Sequence, residues 1–580
     1  MADKIVAIVG ARLNSSRLPG KHLLPLAGKP MIARIIDRLR TVPELDGIML
    51  ATTADDYNKP LRDWAQGYGV DCLAYEGDVN DLVGRIDAAA ELSGAAQILY
   101  ICGDCPLIEP ETLSRMIAAM AATPDAGLAK LRPPAGGGGF IHEGFDLYSL
   151  AFWRAMEKVA HEPFEREHVG AVYHHLSMVT PAAVAWAAEP ERYATIEHRI
   201  SVDTPSDYRF IRRIYADWYR ENPDNSIVSL DWVMERLQRE PDLAAINRHV
   251  HQKKVGENSA AIAIITETGP KVGMGHLSRS LVVAAALQDY LGAKAELFII
   301  GEPIEREELK LIPHHWISEN AIAVALGNKA YQACVVDMQI VALPVTAFLE
   351  QRPTDMPAIG IDVAQKDEAL FDHVWVPSFY SCPERQARLP GKLSFGWDHF
   401  LLAQAQPGDR QSEKSLLVLT GGGDVAELGK IWPALIDDSI GTDTTVCWVR
   451  GPYADAPDIK DINGRWRVLD APTDLADRLT SFSTALCVFG VSFFECLQAN
   501  VPTVTFDPLG VANPEEWATL RKTLPAFVAG DAEEAVSKAA ELLRQPDVGA
   551  EPQSFASKMR EGPQRFALCM ANLMQEKARA

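Results

Sequence analysis

The 580-residue sequence lacks several features, and each absence narrows what the chain does. No run approaches the ~20 consecutive apolar residues of a membrane span. The apolar stretch at residues 5–9 is too short for a signal-peptide core and leads straight toward Arg12. Basic residues are in deficit: 56 Lys and Arg against 78 Asp and Glu give a formal charge of −22. Such a chain suits neither nucleic-acid polymers nor anionic membranes, although one nucleotide in a locally basic pocket remains compatible with it. Cysteine is sparse, at nine residues without the density of a disulfide scaffold, so a reducing cytoplasm is the expected location. Cys102 and Cys105 form a C-x-x-C, but no second pair accompanies them and zinc needs further ligands. Short-period repeats and long low-complexity segments are also missing.

What is present is globular: 47% hydrophobic and 23% charged residues, over a length that predicts roughly three or four folding units. Two segments open alike. Residues 5–9 read as a strand and 10–21 as a loop of Gly, Ser and basic residues. A helix follows with Met31, Ile32, Ile35, Ile36 and Leu39 on one face. Residues 260–265 and 266–275 repeat that strand and loop, with a helix from about His276. Each is the first β-loop-α unit of an open α/β domain, where ligands bind at the carboxyl ends of strands. Two such openings predict two enzymes in one chain. Between them, a helix with Trp232, Val233 and Leu237 gives way to a polar run over 247–258. Further strands are expected at 334–336, 358–361, 415–419 and 485–489, and the stretch 396–406 divides the second half into two Rossmann-like lobes. The expected organisation is a domain at 1–254, a linker at 255–259, and lobes at 260–400 and 401–580.

The first loop, Gly10-Ala-Arg-Leu-Asn-Ser-Ser-Arg-Leu-Pro-Gly-Lys21, is not a Walker A loop, because the spacing differs and His22 follows the lysine. It offers backbone N–H groups with Arg12, Arg17 and Lys21, a set suited to a triphosphate. Alone, it also reads as a solvated basic loop. The expected strand at 98–101 delivers Asp104, and one at 200–202 delivers Asp203 in Val-Asp-Thr-Pro. Two aspartates at strand ends can hold a hard cation such as Mg²⁺. Asp203-Thr-Pro also reads as a helix cap with proline in the first turn.

This loop, the Gly-Asp-Cys-Pro-Leu segment ending at Leu107, the Glu165-Arg-Glu-His168 segment and Val-Asp-Thr-Pro resemble the cytidylyltransferases of the spore-coat polysaccharide family. Those are relatives of the enzymes that make CMP-Kdo and CMP-sialic acids. The resemblance covers about residues 4–254, including the Ile-Asn-Arg-His-Val-His-Gln-Lys tail. It implies a GT-A-like nucleotidyltransferase fold, with Arg12, Ser15, Arg17 and Lys21 cradling CTP. Arg12 and Lys21 would act catalytically, and Asp104 and Asp203 would bind Mg²⁺. A 3-deoxy-ulosonic acid would attack the α-phosphorus and expel pyrophosphate. The family often has an acidic residue where Gly144-Phe-Asp-Leu-Tyr148 places Tyr148, so the sugar is not fixed by this likeness. Because relatives often dimerise, a homodimer is expected from the resemblance alone.

In the second half, Val272-Gly-Met-Gly-His-Leu-Ser-Arg279 puts His276 at a helix N-terminus, which suits a general acid or base near a diphosphate. A capping or packed histidine is the plainer reading. Leu419-Thr-Gly-Gly-Gly-Asp424 can cradle phosphate through bare backbone. Val488-Phe-Gly-Val-Ser-Phe-Phe-Glu495 leads from Gly490 and Ser492 into a helix whose Glu495 suits a ribose. In this order the three segments look like the UDP-sugar hydrolases of pseudaminic acid biosynthesis, over about residues 260–510. The resemblance implies a two-lobed GT-B-like fold (a double Rossmann arrangement) and metal-free hydrolysis of a UDP-2,4-diacetamido-2,4,6-trideoxyhexose assisted by His276. UDP would lie on Gly422, Gly423, Ser492 and Glu495, with Asp337 and Asp362 facing the cleft toward the substrate. The family's Arg-x-Asp ahead of the loop falls here on Ile265 and Glu267. The expectation is a bifunctional enzyme of nonulosonic acid biosynthesis. A glycosyltransferase or a non-catalytic nucleotide-sugar sensor in the second half stays open.

Overall fold

Apolar runs with the two-residue alternation of strands become the centres of three open sheets in a computed structural model of the chain. The described residues are 4–132, 141, 144–172, 183–195, 197–225, 227–251, 259–270, 272–327, 329–403, 414–460, 464–472, 475–545 and 553–579. The chain divides into two units, Met1–Asn258 and Ser259–Ala580. Of the expected linker, 255–258 lies outside the described residues, as do the last two residues of the Ile-Asn-Arg-His-Val-His-Gln-Lys tail.

The first unit holds a seven-stranded sheet of β1 (Ile5–Gly10), β2 (Gly47–Thr53), β3 (Asp71–Tyr75), β4 (Gln97–Cys102), β5 (Ala126–Leu131), β6 (Phe145–Ser149) and β7 (Ala183–Ala187). Their order is β3-β2-β1-β4-β6-β5-β7. β1 pairs in parallel with β2 and β4, whereas β6 runs antiparallel beside β4. Alternation decides the two faces. Ala7, Val9, Leu50 and Leu99 pack with Ile32, Ile35, Ile36 and Leu39 of helix α1 (Met31–Leu39). Val6, Ile8, Ile98 and Tyr100 pack with Val83, Ile86 and Ala90 of α2 (Leu82–Ser93). Residues 200–202, expected as a strand, make no ladder; instead Val202 N–H donates to the Asp104 carbonyl at 2.8 Å. That bond draws the segment to the end of β4 rather than alongside it. Helix α3 (Pro205–Glu221) then starts at Thr204, which forms a capping box with Asp207 over Pro205. The cap is therefore Thr204, and Asp203 is released from that role.

In the second unit, β8 (Ala261–Glu267), β9 (Lys294–Ile300), β10 (His314–Ile317), β11 (Ala333–Asp337), β12 (Ala358–Ile361), β13 (His373–Trp375) and β14 (Leu393–Ser394) form one all-parallel sheet. Its order is β10-β9-β8-β11-β12-β13-β14. A second parallel sheet contains β15 (Ser415–Leu419), β16 (Thr445–Arg450), β17 (Trp466–Asp470), β18 (Thr484–Val488) and β19 (Thr503–Phe506), ordered β17-β16-β15-β18-β19. Each is a doubly wound arrangement whose order reverses beside its first strand, and such a switch point opens a crevice at the strands' carboxyl ends.

Helix α4 (Gly275–Leu291) covers the first sheet, and α5 (Val491–Gln498) and α6 (Pro514–Thr523) belong to the second. The last helix, α7 (Gly562–Arg579), does not stay with the second lobe, where the sequence reading placed all of 401–580. Its Phe566, Ala567 and Met570 join Ile262, Leu277 and Leu281 in the first lobe's core. The reason is an apolar face that finds cover against α4.

Candidate active sites

In the first unit the switch point lies between β1 and β4, so the loop after Gly10 and the turn carrying Asp104 meet there. Lys21 Nζ lies 3.0 Å from Asp104 Oδ2, 2.9 Å from Asp203 Oδ1 and 2.9 Å from the Val202 carbonyl. Arg17 Nη2 adds a contact to Asp203 Oδ2 at 3.3 Å, and Arg199 bonds both Asp203 and Asp207. Burial opposes the charge on Lys21, but Asp104 and Asp203 outweigh it and hold its pKa above the ordinary value. The same contacts overcome burial to keep both aspartates below the usual carboxylate range. Arg199 carries no sequence signal, because its partners Asp203 and Asp207 are brought to it by an irregular segment and the start of α3.

Arg12 reaches across to the carbonyl of Val79 at 2.9 Å, to Asn80 Oδ1 at 2.7 Å, and to Glu167 at 3.2 Å. The Glu165-Arg-Glu-His168 segment thus positions this cation. Its Arg166 also bonds Asp81, the cap of α2, at 2.6 Å. Ser15 turns inward, with Oγ accepting from Leu18 N–H at 3.3 Å. Beside β4, Asp146 takes a hydrogen bond from Tyr148 Oη at 2.9 Å and stands 3.8 Å from Lys130 Nζ. Burial pushes Asp146 up to about 6. So Tyr148, the departure from the family's acidic pattern, serves the carboxylate two residues before it.

In the second unit the first sheet's switch point lies between β8 and β11, where His276 and Asp337 meet. His276 Nδ1 lies 2.6 Å from Asp337 Oδ1. Arg279, one turn later on α4, clamps the same carboxylate with Nε at 3.0 Å from Oδ2 and Nη2 at 2.7 Å from Oδ1. His276 Nδ1 faces both Asp337 Oδ1 and, at 2.9 Å, Arg279 Nη2. Because a carboxylate can only accept, the 2.6 Å contact favours the tautomer with the proton on Nδ1, in which Nε2 is the acceptor. Asp337 is fully buried and both its oxygens are engaged. It therefore orients His276 and Arg279 instead of offering a free carboxylate to the cleft, as the sequence reading had expected. Asp362 is exposed at the end of β12 with a left-handed φ of 51°, and lies 3.7 Å from Arg385.

Ile265 is wholly buried in the core, and Glu267 accepts from the backbone N–H of Gln339 at 2.6 Å. The arginine placed beside His276 is Arg279, three residues after it in the sequence.

Across the crevice, the glycine loop approaches closely: a Cβ added to Gly422 would lie 3.4 Å from Met274 Cγ, and one on Gly275 would lie 3.9 Å from Val491 Cγ2. Gly423, Gly490 and Ser492 stand at the second sheet's own switch point, between β15 and β18. Bare backbone here leaves room for a diphosphate at the start of α5. Glu495, half-buried on α5, faces Arg306 and Glu308, and burial pushes it up to about 6. Among the described residues no cluster of three or more His, Cys, Asp or Glu is placed to hold a metal.

Residues 6–225 match the family model described as Cytidylyltransferase. The chain is 27% identical over 249 residues to the spore coat polysaccharide biosynthesis protein SpsF of Bacillus subtilis, covering 42% of this chain and 97% of that protein. It is 35% identical over 126 residues to the mitochondrial 3-deoxy-manno-octulosonate cytidylyltransferase of Arabidopsis thaliana, covering 21% of this chain and 42% of that enzyme. Among solved structures, a cytidylyltransferase from Leptospira borgpetersenii aligns with 21% identity and a TM-score of 0.37, over 43% of this chain and all of that one. The calicheamicin glycosyltransferase CalG4 aligns with 14% identity and a TM-score of 0.40, over 56% of this chain and all of that one. The likeness of the N-terminal unit to cytidylyltransferases is thus found directly.

Proposed function

We propose that the chain is a bifunctional enzyme of nonulosonic acid biosynthesis, and that its first unit makes a CMP-sugar. The carrying observation is the convergence of Lys21, Arg17, Asp104 and Asp203 within one cluster at the β1–β4 switch point, in a segment that matches cytidylyltransferases. The anomeric hydroxyl of a 3-deoxy-ulosonic acid attacks the α-phosphorus of CTP. The new O–P bond forms as the bond to the β-phosphate oxygen breaks, and pyrophosphate leaves with the hydroxyl proton passing to solvent. Arg12, Arg17 and Lys21 neutralise the triphosphate as that charge moves. Asp104 and Asp203 are a hard-oxygen pair that would hold Mg²⁺ when Lys21 turns its ammonium to the triphosphate, with Arg17 and Arg199 beside Asp203. When bound it supplies further charge neutralisation at the phosphates. Pyrophosphate release from CTP that depends on an added 3-deoxy-ulosonic acid supports the reading; CTP left intact with every such acid overturns it.

For the second unit we propose hydrolysis of a UDP-diacetamido-trideoxyhexose; the His276–Asp337 pair supports the general-base step, and the choice of sugar rests on the sequence resemblance. Nε2 of His276 takes a proton from water, the water oxygen bonds to the anomeric carbon, and the bond to the diphosphate breaks to release UDP. Gly422, Gly423 and Ser492 hold the nucleotide, and Glu495 accepts from the ribose. UDP release without any acceptor supports hydrolysis. Release only with an added acceptor identifies a glycosyltransferase, and binding without turnover identifies a sensor.

A further inference from the structure

Arg85 is the charged residue the first site leaves unexplained. It lies on α2, only 3% exposed, and its Nε and Nη1 meet no hydrogen-bond acceptor. Burial and the neighbouring Arg12 lower its pKa to about 10, so it stays charged at neutral pH. The nearby carboxylate of Asp81 is already occupied, taking bonds from Arg166, Tyr75 and Gly84 N–H.

A buried guanidinium needs anionic partners. Asp81 acts on Arg85 by its charge but gives its oxygens to other donors, and among the described residues nothing accepts from Nε or Nη1. The position of Arg85 says where that anion comes from. Leu82 and Ile86 of α2 would lie 3.1 and 3.7 Å from a Cβ on Gly10, the last residue of β1. Residues 82, 85 and 86 share a helix face, so Arg85 stands where the phosphate loop begins. Arg17 presents a buried, unpaired Nη1 from the same loop.

We infer that Arg85 is a further anion-binding residue of the first site, with an unmatched N–H donor met by an oxyanion of the substrate. That oxyanion is a nucleotide phosphate or the carboxylate of the sugar acid, since both accept charge-assisted hydrogen bonds from a guanidinium. The inference rests on the cytidylyl-transfer reading.

The test uses the full chain, with Arg85→Gln and Arg85→Lys beside wild type. CTP affinity is measured by calorimetry with MgCl₂, and KM for the 3-deoxy-ulosonic acid in the pyrophosphate assay. Melting without ligand is followed in parallel. Arg85→Gln should melt no lower than wild type, because it removes an unpaired charge. One binding constant should weaken about 10-fold or more, with Arg85→Lys between. A change in CTP affinity assigns the phosphate, and a change in sugar KM assigns the carboxylate. Both constants unchanged would overturn the inference while leaving the reaction standing. So would an apo protein that melts far lower as Gln while Lys keeps both constants, the mark of a merely structural arginine. If wild type binds no CTP, the transfer reading falls. Arg85 then falls with it unless inorganic pyrophosphate raises the melting temperature of wild type and not of Arg85→Gln.

Discussion

His276 Nδ1 stands 2.6 Å from Asp337 Oδ1, at the strand ends where the first sheet of the second unit reverses its order. In the tautomer that donates from Nδ1 to this carboxylate, Nε2 is the nitrogen left to accept a proton. Replacing Asp337 with Asn leaves Arg279 without its buried counter-charge. The expected cost is about 3–5 kcal/mol in unfolding free energy, read from denaturant titration. At a temperature where the variant is folded, kcat should fall about 100-fold or more while UDP affinity changes little. A variant with full kcat would remove Asp337 from the mechanism.

Lys21 separates two carboxylates that would otherwise repel. Lys21→Gln should lose about 3 kcal/mol of stability. MgCl₂ should then raise the melting temperature of the variant more than that of wild type, because the ion takes the place of the ammonium. Equal responses would argue against Asp104 and Asp203 as a cation site.

Glu495 titrates in a useful window. Its folded pKa, about 6, lies above the ordinary 4.5 because burial disfavours the carboxylate. Ionisation therefore costs stability as pH rises from about 4.5 through about 6, and Glu495→Gln should be more stable than wild type at pH 7 but not at pH 4. Ribose hydroxyls donate to the ionised form, so UDP affinity of wild type should increase from pH 5 to pH 7. A flat affinity profile would detach Glu495 from the nucleotide.

Gly451 follows β16, and a Cβ there would overlap the carbonyl oxygens of Gly421 and Gly422. Gly451→Ala should displace the glycine loop and weaken UDP binding about 10-fold or more, with cytidylyl transfer by the first unit unaffected. Calorimetry with UDP checks the first part, and pyrophosphate release the second. Unchanged UDP affinity would show that the loop does not carry the nucleotide.

The sequence patterns that proved readable were local. Strand, glycine-rich loop and helix in succession marked both Gly10–Lys21 and the approach to His276, because each motif is one continuous stretch with a period to count. The partners of those motifs were not readable. Arg279 was within sight of His276 but acquires its role only when Asp337 arrives from another strand. Arg199 and Arg85 matter because of what surrounds them in space, and neither carries a spacing signal. The strand expected at 200–202 failed for a related reason: three apolar-leaning residues suffice for the pattern, but a single bond to the Asp104 carbonyl decides their course. Helix α7 was assigned to the wrong lobe because amphipathicity shows that a face will be covered and not by what.

The central claim is that the first unit joins the sugar hydroxyl to the α-phosphorus of CTP. Its most direct test supplies the full chain with CTP, MgCl₂ and a panel of 3-deoxy-ulosonic acids labelled with ¹⁸O at the anomeric hydroxyl, and analyses products by mass spectrometry. Attack by that hydroxyl yields pyrophosphate and a CMP-sugar that keeps the label in the bridge, with Asp104→Asn reducing the yield at least about 100-fold. A CMP-sugar lacking the label, or no CMP-sugar from any acid in the panel, would contradict the account.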